Sequence, residues 1–268
     1  MLVDDSSMYS DLAAQITTLL SRCSDLRSLR LFMVNTHFSG MLRDSHFPNL
    51  RTFRYAVAPD VFAALPAFIN RHRNITTLEL DCYYDEDFRL DDTWLPTLTR
   101  FYGDSLFLRS LTCNQTLQNV SIEFFDHDFE PALERLTSIA YAKLELVVVA
   151  DCIDTPAFLG YVAMAVPRIT SLTFRKLDPS APAPDHLIFG DICEIETHLK
   201  ILRSLRVLEF CHFDPDETGD STKLMMIRAV DKSIIEMWSV ACPSLVSIFW
   251  NGQRWKHIGT AWGMDYSS

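Results

Sequence analysis

The sequence predicts an α/β solenoid: a curved parallel sheet inside, helices outside, and about nine irregular repeats. Three observations lead there. A short pattern of apolar residues at i, i+3 and i+5 recurs along the chain. The segments between its copies switch to helical spacing. The eight glycines are isolated, and none forms the G-x-G of a phosphate-binding turn after a strand.

The clearest copies are Leu26-Arg-Ser-Leu29-Arg-Leu31, Leu50-Arg-Thr-Phe53-Arg-Tyr55 and Ile75-Thr-Thr-Leu78-Glu-Leu80. Leu117/Val120/Ile122, Ile169/Leu172/Phe174, Leu205/Leu208/Phe210 and Leu245/Ile248/Trp250 continue it. Weaker copies stand at Leu98/Phe101 and Tyr141/Leu144/Leu146. The anchors at 26, 50, 75, 98, 117, 141, 169, 205 and 245 are separated by 24, 25, 23, 19, 24, 28, 36 and 40 residues. The early spacings suit a leucine-rich repeat. The last ones leave room for insertions such as Pro179 to Pro184.

Each copy predicts a short strand, because residues i+3 and i+5 point to the same side of an extended chain. The i residue turns inward just before it. Helical spacing fills Asp11 to Leu20, Val61 to Ile69, Pro156 to Val166 and Thr222 to Val240, with candidate caps at Ser10, Asp60 and Thr155. No single repeat can bury its own apolar side, so neighbours must stack. The expected organisation is one leucine-rich-repeat domain over 1–268. Residues 1–25 form the first convex helix as an N-terminal cap. Residues 241–268 form the last repeat and an aromatic cap, where Phe249, Trp250, Trp255, Trp262 and Tyr266 cover the end of the core. An ordinary α/β sandwich is the alternative.

Composition bounds the function. Apolar residues make up 48% of 268, so a sizeable core is available. With 24 basic and 35 acidic residues, the net charge of −11 argues against nucleic acid as partner. No apolar run reaches the length a membrane span needs, and the acidic N-terminus does not read as a secretion signal. Seven cysteines without a C-x-x-C read as free thiols, which places the protein in the cytoplasm or nucleus. The three N-x-S/T matches at Asn74, Asn114 and Asn119 then carry no glycan.

The C-terminal run Ala241-Cys-Pro-Ser-Leu-Val-Ser-Ile-Phe-Trp250 is followed by Trp255 and Trp262, and Phe47-Pro-Asn-Leu50 and Val166-Pro-Arg-Ile169 repeat its entry. On these motifs the chain resembles the degenerate leucine-rich-repeat proteins of fungi, F-box-like and of basidiomycete type. It implies the recognition half of a ubiquitin-ligase adaptor. Two features depart from it. The position eight past each anchor is never Asn or Cys, so the usual polar ladder is missing. Only 25 residues precede Leu26, and no F-box is found among them. A Skp1-type adaptor is therefore a partner only if an F-box lies upstream.

No catalytic, cofactor-binding or metal-ligating constellation emerges. His127 among Glu123, Asp126, Asp128 and Glu130 reads as a solvated acidic loop, and so do Asp85, Asp87, Asp91 and Asp92, which lack calcium-loop spacing. Cys211-His212 reads as a core thiol beside an exposed imidazole. The residue between i+3 and i+5 points away from the helices. Reading that column singles out Arg30, Arg54, Glu79, Tyr102, Glu145 and Glu209 as partner contacts, with Ser121, Thr173 and Phe249 between them. Acidic runs at 81–92, 123–130 and 214–220 follow strands. The expected activity is non-catalytic recognition of a protein partner with a basic segment. An α/β hydrolase-like enzyme and a fragment without independent function are the alternatives.

Overall fold

Every anchor leads into a strand. The computed structural model describes residues 5–33, 39–57, 64–82, 94–124, 129–150, 155–175, 189–211 and 221–265. Its first elements are α1 (Asp5–Ser21), β1 (Ser28–Met33), α2 (Ser39–Asp44), β2 (Thr52–Val57), α3 (Leu65–Arg71), β3 (Thr77–Cys82), β4 (Arg100–Asp104) and α4 (Ser105–Ser110). There follow β5 (Leu117–Glu123), α5 (Glu130–Ile139), β6 (Ala140–Val149), α6 (Thr155–Ala165), β7 (Ser171–Arg175), α7 (Phe189–Leu199) and β8 (Val207–Phe210). The chain closes with α8 (Ser221–Ala241), β9 (Ser247–Trp250), β10 (Gln253–Ile258) and β11 (Ala261–Met264). The fold is α/β, and its strands run in chain order, mostly parallel and open rather than closed into a barrel. Two compact units divide the chain at residue 117.

In the first unit β1, β2, β3 and β4 pair in parallel. Their inward residues stand in two cross-strand rows, Leu29, Phe53, Leu78 and Phe101, then Leu31, Tyr55, Leu80 and Gly103. Helix α3 covers them, its Phe68 ring 4.7 Å from that of Phe53. Glycine is required at 103. Its φ is +148°, and a Cβ there would fall 2.2 Å from the Leu80 carbonyl oxygen.

A tight turn precedes most strands and explains the spacing of the motif. The carbonyls of Cys23, Phe47, His72 and Leu95 accept from the N–H groups of Leu26, Leu50, Ile75 and Leu98 at 3.0 to 3.3 Å. In the second unit Val166, Leu202 and Cys242 do the same for Ile169, Leu205 and Leu245. Proline follows the first turn residue at 48, 96, 167 and 243, where its fixed φ suits the turn and its missing N–H costs nothing.

The absent asparagine ladder is replaced by two other devices. The Arg27, Arg51 and Thr76 carbonyls each accept two N–H groups of the next repeat, and Thr170 and Arg206 repeat this in the second unit. Threonine hydroxyls add rungs, Thr76 to Arg51 O, Thr99 to Thr76 O and Thr170 to Leu144 O, at 3.0 to 3.2 Å. His72, buried, also joins neighbouring repeats. Its Nε2 accepts from the Phe47 N–H at 2.8 Å while Nδ1–H donates to the Phe68 carbonyl at 2.7 Å.

The second unit is threaded by aromatic rings. Phe124, Phe158, Phe174, Phe210, Trp238 and Trp250 touch in sequence, at centroid separations of 5.2 to 5.8 Å. Each pair adds roughly 0.5–1.5 kcal/mol beyond burial. Past β9 the chain reverses. Asn251 and Gly252 both adopt positive φ, 48° and 69°, as a two-residue hairpin turn demands. Strands β10 and β11 then run antiparallel. Trp250, Trp255 and Trp262 are buried. Alternation turns Phe249 to the other side of β9 from its buried neighbours Ile248 and Trp250. Tyr266 lies outside the described residues.

Candidate partner-binding face

Alternation in a strand sends every second side chain to the side away from the helices. Register then decides which of these meet. In the first unit Arg30, Arg54, Glu79 and Tyr102 stand side by side as one cross-strand row. Phe32, Ala56 and Asp81 form the next row. The Arg54 guanidinium is the junction of the two. It lies 2.8 Å from Glu79 and 3.5 Å from Asp81, and 5.2 Å from the centroid of the exposed Phe32 ring. Partial burial raises the Glu79 pKa above its ordinary value, Arg54 opposing and Asp81 reinforcing the shift. Arg30 at the end of the row is exposed.

In the second unit Val147, Thr173, Glu209 and Phe249 are in register, and Arg254 of β10 extends the row. Glu145 stands on the next row of the same side, beside Ser171, Val207 and Ser247. Glu209 accepts from the Thr173 hydroxyl at 3.2 Å and pairs with Arg254 at 2.7 Å. Arg254 also donates to Ser247 Oγ at 3.3 Å and stacks 5.6 Å from the Phe249 ring centroid. Glu145 is exposed and receives the Asn119 side-chain amide. Of the six residues singled out from the sequence, Arg30, Arg54, Glu79 and Tyr102 share one row in the first unit, while Glu145 and Glu209 fall on two different rows in the second. The rows are not simply basic then acidic, because their charges are largely paired within each unit.

Phe32, Asp81 and Arg254 belong to this face and were not foreseen. Arg254 had a readable signal: Asn-Gly between alternating apolar residues is a hairpin mark, and a hairpin returns the chain beside β9. Cys211 corrects an expectation. It is exposed rather than in the core, because β8 ends at Phe210. Partial covering of its sulfur, then the Glu209 carboxylate, push the thiol pKa up, so it is no activated nucleophile. Its neighbour His212, with His127, Asp85, Asp87, Asp91, Asp92 and the acidic run at 214–220, lies outside the described residues. So does the segment Pro179 to Pro184.

Among the described residues no group of three His, Cys, Asp or Glu side chains is placed to hold a metal ion. No helix among them is long and apolar enough to cross a membrane. In comparison with known proteins, no family model and no curated protein matches the chain.

Proposed function

We propose that the protein is a non-catalytic recognition scaffold of leucine-rich-repeat type, whose open sheet face holds a segment of a protein partner. The observation that carries this reading is the in-register row Arg30, Arg54, Glu79 and Tyr102, contributed by four successive parallel strands. Such a row presents charged and aromatic groups at strand spacing, about 4.8 Å apart. Stacked repeats are generally used through surfaces of this kind. The recurring turn and the strand order support the solenoid reading; the F-box-like kinship rests on the motifs alone. Membership of a ubiquitin ligase, through a Skp1-type adaptor, follows only where an F-box accompanies this chain.

A basic segment is the partner this face suits. It would approach the Glu79 and Asp81 carboxylates of the first unit, exchanging their contacts with Arg54 for its own cations. Such fields act more on association rate and choice of partner than on affinity. The test is capture from a lysate by the wild type and by a variant carrying Glu79→Arg, Asp81→Arg and Tyr102→Ala, with melting temperature as the folding control. The variant is expected to lose the captured protein while still unfolding in one cooperative transition, since none of the substituted side chains belongs to the buried core. Equal capture by both would overturn the reading.

A further inference from the structure

The edge of the second unit where the parallel strands begin carries a sign opposite to that of the chain. Three segments hold equivalent places there, 164–170, 200–206 and 240–246. Their equivalence is set by hydrogen bonds. The same turn closes each, and the Thr170 carbonyl accepts from Arg206 N–H as the Arg206 carbonyl accepts from Val246 N–H. Cys242 Sγ also lies 3.1 Å from the Leu202 carbonyl. Helices α6, α7 and α8 end on this edge.

No Asp or Glu occurs in any of the three segments, in a chain of net charge −11. Arg168, Arg203 and Arg206 are exposed, and none forms an ion pair among the described residues. Lys200 reaches back one turn to Glu196 at 2.9 Å. Between the arginines stand apolar side chains that burial would be expected to claim. Met164 is 80% exposed, Val240 81%, Ile201 48% and Val246 40%. Exposed apolar groups interleaved with arginine are what the centres of protein interfaces are made of, with Met and Arg both enriched there.

We propose that this edge docks an acidic protein segment carrying apolar side chains. The arginines would pair with its carboxylates, two N–H groups to two oxygens where geometry allows. Its apolar side chains would cover Met164, Ile201 and Val240. Charge complementarity selects this occupant. A nucleic acid would be repelled by the rest of so acidic a chain and would leave the apolar groups bare. An anionic membrane gains only about 1 kcal/mol per cation near its surface, and three arginines make a weak anchor. The inference uses neither the open sheet face nor the partner proposed for it.

The arginines could instead serve only the helix ends, where cations are favourable; that role shows in stability and not in binding. The experiment is fluorescence anisotropy with a labelled amphipathic peptide bearing Glu on one side and Leu on the other. Its competitors are a Lys-for-Glu version, phosphatidylserine vesicles and a single-stranded oligonucleotide. Expected is saturable, salt-weakened binding to the acidic peptide, reduced about tenfold or more by R168E/R203E/R206E and by M164S/V240S. The second set keeps the test valid if the first loses stability. No binding, binding by both variant sets as tight as that of the wild type, or preference for the basic peptide, the vesicles or the oligonucleotide would overturn the proposal.

Discussion

His72 shows how one side chain can take over a family of missing ones. Its imidazole satisfies the Phe47 N–H and the Phe68 carbonyl at once, and only the neutral ring can do both. Burial, first, lowers its pKa below the ordinary 6.5; the Phe68 hydrogen bond opposes this, and His46 and Arg71 add to the lowering. The folded protein therefore binds fewer protons at this site than the unfolded chain. The stability it contributes is complete above about pH 6.5 and is lost as pH falls through the lowered folded value. His72→Ala should cost about 2–4 kcal/mol, from the cavity and the orphaned Phe47 N–H. Its melting temperature should also fall less steeply than the wild type's between pH 7 and pH 5. Parallel slopes in differential scanning fluorimetry would refute this account. The histidine was visible in the sequence, but nothing local marked it as a joint between repeats, since its partner is 25 residues away.

Among elements, the hairpin after β9 matters most. Asp231 of α8 is buried and accepts from Trp250 Nε1 at 2.9 Å and from Asn251 Nδ2 at 2.8 Å. One carboxylate thus fixes the turn that returns β10, and with it Arg254, to the sheet. Burial raises its pKa above 3.8 against the pull of those two donors. The folded state then binds the extra proton, so stability declines as pH rises through the window between 3.8 and the raised value. Asp231→Ala should cost about 2–3 kcal/mol by stranding the Trp250 N–H. Asp231→Asn keeps the accepting oxygen without the charge and should stay within about 1 kcal/mol of the wild type. Urea unfolding followed by tryptophan fluorescence measures both, and an alanine variant as stable as the wild type would remove the role assigned to Asp231. The helices expected at 11–20, 61–69, 156–166 and 222–240 correspond to α1, α3, α6 and α8. Helices α2 and α4, six residues each, are too short for a period of 3.6 to declare itself.

At the scale of the molecule, charge is sorted along the repeat. The cations Arg27, Arg51, Arg168, Arg203 and Arg206 fall where strands begin, whereas acidic runs follow strands in the sequence. The excess of acid keeps copies apart at neutral pH, and the sequence pI is about 5.1. Solubility should pass through a minimum near that pH, with turbidity rising there and clearing on return to pH 7.5. A protein equally soluble from pH 4.5 to pH 7.5 would contradict this.

Repeat spacing, turns and strand alternation were legible because each is decided within a few neighbouring residues. The i, i+3, i+5 motif states which side chains leave the water, and the proline before several anchors states where the chain bends. Contacts between residues far apart followed no such rule. That Arg54 bridges Glu79 and Asp81, or that Arg254 neutralises Glu209, depends on cross-strand register and on a hairpin folding back, 45 residues on in the second case. Local spacing carries no information about such pairs, because the free energy that selects them arises only once the strands lie side by side.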